Sequence, residues 1–155
     1  MTTELGLTEV AADVFELRLP IPFEDGLVNV FLFPDGNDAD LVDCGMNTEE
    51  SVDAIHAAVK RVGAKRLRRL VVTHIHPDHY GAAGVFAGEG LADLYLHRLE
   101  VPLVYPRYVD IEHLISEVRT YLLVNGVPEG ESEVMSNSQR ALSDIVKPTV
   151  PEVQL

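Results

Sequence analysis

The stretch Leu70-Val71-Val72-Thr73-His74-Ile75-His76-Pro77-Asp78-His79 decides how the rest of this chain is read. Its first half is an apolar, β-branched run of the kind expected in a strand buried on both faces. Its second half packs three imidazoles and a carboxylate into six residues, an H-x-H-x-D-H pattern. Protonated imidazoles at that density repel one another, so the cluster favours neutral rings, the form that binds a divalent cation. His74 and His76 are two apart, so in an extended chain both face one side and can grip one ion. Asp78 and His79 are adjacent and converge only if the chain turns, which Pro77 favours. The spacing predicts two neighbouring metal sites, with His74 and His76 on one and Asp78 and His79 on the other. Nitrogen and carboxylate donors without a thiolate suit Zn²⁺ first, then Mn²⁺ or Fe.

Upstream of this stretch, residues 14–19 and 27–33 alternate or are β-branched and aromatic, and 40–42 is a short apolar run, so an antiparallel meander is expected. Asn47 with Glu50 three residues on resembles a capping box. Val52, Ile55, Val59 and Val62 follow at helical spacing, and Gly63 is a natural stop. Downstream, 82–86 reads as a short helix and 94–96 as a strand ending at His97. Residues 109–124 and 129–146 read as a helical hairpin. A helix feeding a buried strand is the grammar of a layered α/β domain, and 155 residues suit one such domain spanning 1–155. His56, His97 and His113 read as structural or surface histidines.

Composition narrows the function. Twelve basic against 25 acidic residues give a net charge of −13, a poor match to nucleic acid or an anionic membrane. Half of the basic residues fall in Lys60, Arg61, Lys65, Arg66, Arg68 and Arg69. Cations at a helix C-terminus and at the entry of a strand account for that cluster more simply than a nucleic-acid surface does. The single cysteine, Cys44, fits a reducing compartment. The N-terminus carries no basic segment followed by an apolar run, so a cytoplasmic location is expected.

The H-x-H-x-D-H string resembles the signature of the metallo-β-lactamase fold superfamily of hydrolases. Asn29 in its strand, Leu41-Val42-Asp43-Cys44-Gly45 before the first helix, and Val71-Val72-Thr73-His74 occur in the order that family uses. The helical hairpin is similar to that of the hydroxyacylglutathione hydrolase branch. The resemblance implies an α/β fold, the N-terminal half of an αββα sandwich with a helical hairpin insertion. It implies His74 and His76 as ligands of a first metal and Asp78 and His79 of a second. Asp43 would support the ligands from behind, and Asp78 would position the nucleophilic water. It further implies a dizinc hydrolase whose metal-bound hydroxide attacks an ester- or thioester-like small molecule. The alternatives are a phosphodiesterase or nuclease of the same fold, or an incomplete metal-binding domain that acts through a partner. Loop 20–26, with Ile21 and Phe23, matches a substrate-facing hairpin in relatives, and an ordinary hairpin turn fits it as well. The family pattern continues with a third histidine, a bridging aspartate and another histidine, whereas only His97 and His113 follow His79 here. The expectation is therefore a chain that stops before the second half, with 147–155 running into a strand. Such a chain is expected to hold metal weakly and to pair with a second copy or with the missing half.

Overall fold

The computed structural model describes residues 6–22, 26–91 and 93–150. Six strands form one sheet in sequential order: β1 (Leu7–Ala11), β2 (Val14–Pro20), β3 (Leu27–Asp35), β4 (Asp38–Val42), β5 (Arg66–Val72) and β6 (Asp93–Leu96). The first four pair antiparallel, and β4, β5 and β6 are parallel. The fold is α/β with a mixed sheet, as expected. The switch has a plain cause. Two-residue turns join β1 to β2 and β3 to β4, whereas β4–β5 and β5–β6 are connected through helices, and only a crossover can return a strand parallel.

Helix α1 (Glu49–Arg61) makes the first crossover. It is capped by Thr48, whose Oγ1 accepts from the Ser51 amide at 3.2 Å, and not by Asn47, whose amide instead donates to the Ile145 carbonyl at 2.9 Å. Ile55, Ala58 and Val59 of α1 and Phe86 of α3 (Ala83–Gly88) bury against Leu17, Leu19, Val30, Leu32, Leu41 and Leu70. One face of the sheet is thus covered. The other is not. Phe31, Val42, Val71 and Tyr95 lie side by side across β3, β4, β5 and β6, and none of them belongs to the buried core. Leu70 and Val72 are buried, but Val71 between them is only half-buried, so β5 is not covered on both faces as its sequence suggests.

Half of the basic cluster is consumed by the sheet. Arg66 reaches Asp38 at 2.8 Å, Arg68 reaches Asp35 at 3.1 Å and Asp40 at 3.0 Å, and Arg69 also pairs with Asp40. Burial raises the Asp40 carboxyl, but hydrogen bonds from Arg69 and Arg68 outweigh it and hold the group below the usual range. Three of the six cations therefore serve the β4–β5 pairing.

Beyond β6 the chain forms α4 (Val101–Val104), a π-helical turn (Tyr105–Val109), and the hairpin of α5 (Ile111–Val124) and α6 (Glu129–Asp144). Arg140–Glu112 at 2.6 Å and Arg119–Glu129 at 2.8 Å tie the hairpin together. The chain then returns to the segment of α2 (Pro77–Tyr80) and α3. The Lys147 amide donates to Gly81 at 2.8 Å, and the Gly84 amide donates to Lys147 at 3.0 Å. Residues 146–150 are irregular rather than a strand, and residues 151–155, like Phe23, Glu24 and Asp25 of the 20–26 loop, lie outside the described residues. No helix among the described residues is long and apolar enough to cross a membrane.

Gly81 marks the tightest point of this return. A Cβ there would sit 2.7 Å from the Met46 Cα and 2.8 Å from the Ile145 carbonyl oxygen, and would also strike the Pro77 carbonyl. All three are backbone atoms and cannot swing aside. Gly81→Ala is expected to cost about 2–3 kcal/mol of folding free energy, measured as a lower urea midpoint, with Gly88→Ala in an open position as the neutral control.

Candidate metal centre

The parallel strands bring their carboxyl ends together, where open α/β sheets form their sites. Asp43 follows β4 directly, and its amide donates to the Val71 carbonyl of β5 at 2.9 Å. Its φ of +59° is left-handed, a region that costs most residues energy but that Asp and Asn tolerate best. That kink points the buried carboxylate at the neighbouring loop. Asp43 Oδ1 accepts from the Thr73 amide at 2.8 Å, Oδ2 from the Thr73 hydroxyl at 2.9 Å, and Oδ2 from His79 Nδ1 at 2.8 Å.

Those contacts fix tautomers. A carboxylate only accepts, so Nδ1 of His79 carries its proton and Nε2 turns outward. The Thr73 hydroxyl gives its single proton to Asp43, so its oxygen accepts from His74 Nδ1 at 3.0 Å. His74 therefore also presents Nε2. One buried acid orients two imidazoles, one directly and one through a threonine.

After β5 the chain makes a single helical turn, α2 (Pro77–Tyr80), with Pro77 at its start and His76 extended before it, as a residue preceding proline prefers. The turn makes adjacent side chains converge: Asp78 Oδ2 lies 3.3 Å from His79 Nε2. The His74 and His76 rings have centroids 4.6 Å apart, and those of His74 and His79 are 4.3 Å apart. Burial, reinforced by His79 and His76, pulls the His74 pKa below the ordinary imidazole value, so that ring is held neutral. All four motif residues thus gather at one mouth, and His74 is as near to His79 as to His76. Among the described residues no three or more His, Cys, Asp or Glu side chains converge on one ion position.

Two further groups were not legible as part of this site. The Ile75 amide donates to Glu100 Oε2 at 2.9 Å, and the Tyr108 hydroxyl donates to the Ile75 carbonyl. The remaining histidines are engaged elsewhere. His56 meets Glu89 at 2.8 Å, His97 Nδ1 accepts from the Leu99 amide at 3.2 Å, and His113 faces Glu117 at 3.4 Å. Cys44 is buried, and that burial pushes its thiol pKa up, out of nucleophile range. A concavity of about 590 Å³ lies at the other end of β5, between His56, Lys65 and Phe86. The histidine cluster does not line it.

The sequence profile of the Metallo-beta-lactamase superfamily matches residues 24–149. The chain belongs to that superfamily. A probable metallo-hydrolase of Bacillus subtilis, YqjP, is 37% identical over 91 residues, which are 57% of this chain and 26% of that protein. The crystal structure of a metallo-beta-lactamase family protein from Thermus thermophilus superposes with a TM-score of 0.77 at 23% identity, covering 95% of this chain and 47% of that one. A beta-lactamase domain protein from Burkholderia ambifaria gives 0.69 at 24% identity, covering 100% of this chain and 45% of that one. This chain therefore spans about a quarter of its curated relative and about half of each structure. Membership supports a metal-dependent hydrolase in general terms, with a divalent ion of unspecified identity.

The donor set fits such an ion. Nε2 of His79, with its proton committed to Nδ1, faces a carboxylate oxygen across 3.3 Å. Two lone pairs at that separation repel unless a proton or a cation lies between them.

Proposed function

We propose that this chain carries half of the metal centre of a hydrolase acting on ester- or thioester-like small molecules. The observation behind this reading is Asp43 orienting both His79 and His74 so that each turns its Nε2 outward. His74, His76, Asp78 and His79 would hold two divalent ions, zinc by donor preference, with completing ligands from outside this chain. Such ions polarise a carbonyl and lower the pKa of water. The protein's own part is orientation. Asp43 keeps the His79 proton on Nδ1, Thr73 relays the same order to His74, and the half-exposed Asp78 carboxylate accepts a hydrogen bond from the attacking water. The phosphodiester alternative loses ground because three arginines of the basic cluster are spent on Asp35, Asp38 and Asp40.

The test is hydrolysis of a chromogenic thioester with saturating zinc. Because this chain holds only half of the centre, a weak rate is expected, about tenfold above zinc alone and removed by a chelator and by His76→Ala. An unchanged rate in His76→Ala, or faster cleavage of bis(p-nitrophenyl) phosphate, would overturn the assignment.

A further inference from the structure

We propose that Glu100 and Tyr108, which lie outside the histidine motif, are positioning residues for its metal ligands, an inference that rests on the metal reading above. Ile75 is the residue between His74 and His76, so its backbone torsions set how the two rings stand relative to one another. It is held at three points. Its side chain is buried in the core. Its amide donates to Glu100 Oε2 at 2.9 Å, and its carbonyl accepts from the Tyr108 hydroxyl. Both backbone polar groups of one loop residue are thus taken by side chains 25 and 33 positions away in sequence.

The two holding groups are themselves fixed. The Glu100 amide donates to the His97 carbonyl at 2.8 Å, which anchors the start of α4 to the end of β6. Glu100 has no ion pair among the described residues, so its carboxylate serves the amide alone. Tyr108 is buried in the π-helical turn and stacks on Tyr80 with ring centroids 5.9 Å apart. Tyr80 in turn accepts from the Thr149 amide through its hydroxyl at 2.6 Å. A π turn is an uncommon conformation that recurs at functional sites, and here it delivers the Tyr108 hydroxyl to the loop. A charge-assisted bond to a backbone amide is also stronger than a neutral one. The segment from Glu100 to Tyr108 therefore clamps the H-x-H backbone at Ile75, while Asp43 grips the same loop through Thr73 and His79.

The experiment uses the 155-residue chain with Glu100→Ala, Glu100→Gln and Tyr108→Phe. Glutamine keeps a carbonyl acceptor, so it is the rescue variant. Two quantities are read: hydrogen exchange of the Ile75 amide by NMR, and Co²⁺ affinity from the visible absorption of the ion. Glu100→Ala is expected to speed Ile75 exchange at least tenfold and weaken Co²⁺ binding tenfold or more. Glu100→Gln should return both to within about threefold of the parent, and Tyr108→Phe should weaken Co²⁺ with a similar sign. Unchanged Ile75 exchange in Glu100→Ala would overturn the clamp. Faster exchange with unchanged Co²⁺ affinity would overturn the positioning role. Failure of the parent chain itself to bind Co²⁺ at millimolar concentration would contradict the metal reading instead. The clamp would then stand or fall on Ile75 exchange and on the His74 and His76 ring resonances.

Discussion

Asp43→Ala is expected to lose about 2–4 kcal/mol of folding stability and to weaken metal binding at least tenfold. The stability loss has two sources. Removing the carboxylate breaks part-buried hydrogen bonds from the Thr73 amide and from His79 Nδ1, which together contribute about 1–3 kcal/mol. It also leaves alanine at a φ of +59°, which adds about 1 kcal/mol. Asp43→Asn separates the two effects. Asparagine tolerates left-handed backbone, and its carbonyl oxygen can still accept from Thr73. Its amide, however, donates, so His79 Nδ1 must accept and the proton must move to Nε2, the nitrogen meant for the ion. Stability is therefore expected to stay within about 1 kcal/mol of the parent, while zinc affinity falls about 10–100-fold, the usual effect of disturbing a group that orients a ligand imidazole. Urea denaturation and competitive zinc titration on the same samples read the two quantities separately. Equal zinc affinity in Asp43→Asn would show that Asp43 is only a strand-end turn residue.

The second large effect concerns assembly. The row Phe31, Val42, Val71 and Tyr95 runs across four strands on the face opposite α1 and α3, each of them half-buried, with Phe33 exposed beside it. Contiguous apolar surface beyond a few hundred Å² is unusual on a monomer and marks an interface. We infer that two copies of this chain pair through this face when nothing else covers it. Sedimentation at about 100 μM is expected to give a dimer or larger species, and Val71→Lys in the middle of the row is expected to raise the dissociation constant at least tenfold. Retained association in Val71→Lys would place the contact at the open edges of β1 and β6 instead. A compact monomer of the parent chain at that concentration would contradict the pairing.

Much of the architecture was legible because hydrophobic period and turn chemistry agree. Strands β2, β3 and β5, helix α1 with its stop at Gly63, and the α5–α6 hairpin fall within a few residues of their expected limits. The misses have identifiable causes. β1 is short and mostly exposed, so its alternation is faint. The π turn and α4 contain Pro102 and Pro106, which read as breakers but sit near the starts of their turns, where a missing amide costs little. The turn α2 is four residues long, below any helical periodicity. At the site, the spacing of His74, His76, Asp78 and His79 marks a cluster of potential metal donors, and the structure brings their side chains close together. Glu100 and Tyr108 carry no local pattern linking them to Ile75; only the folded chain brings them there. The expected separation into a His74–His76 pair and an Asp78–His79 pair rests on extended geometry. The helical turn at Pro77 sets His74 beside His79 as well, which period-two reasoning does not reach.

These four residues form half of a metal centre rather than a whole one if the proposed function holds. Each expected site receives two ligands from this chain, whereas stable zinc sites have three or four from protein. Elemental analysis of the purified chain after dialysis against a chelator is the most direct measurement. Less than one zinc per chain is predicted, with zinc regained in titration at micromolar or weaker affinity and lost on His76→Ala. Two zinc ions per chain surviving the chelator would mean that residues of this chain complete both sites, and would contradict the account.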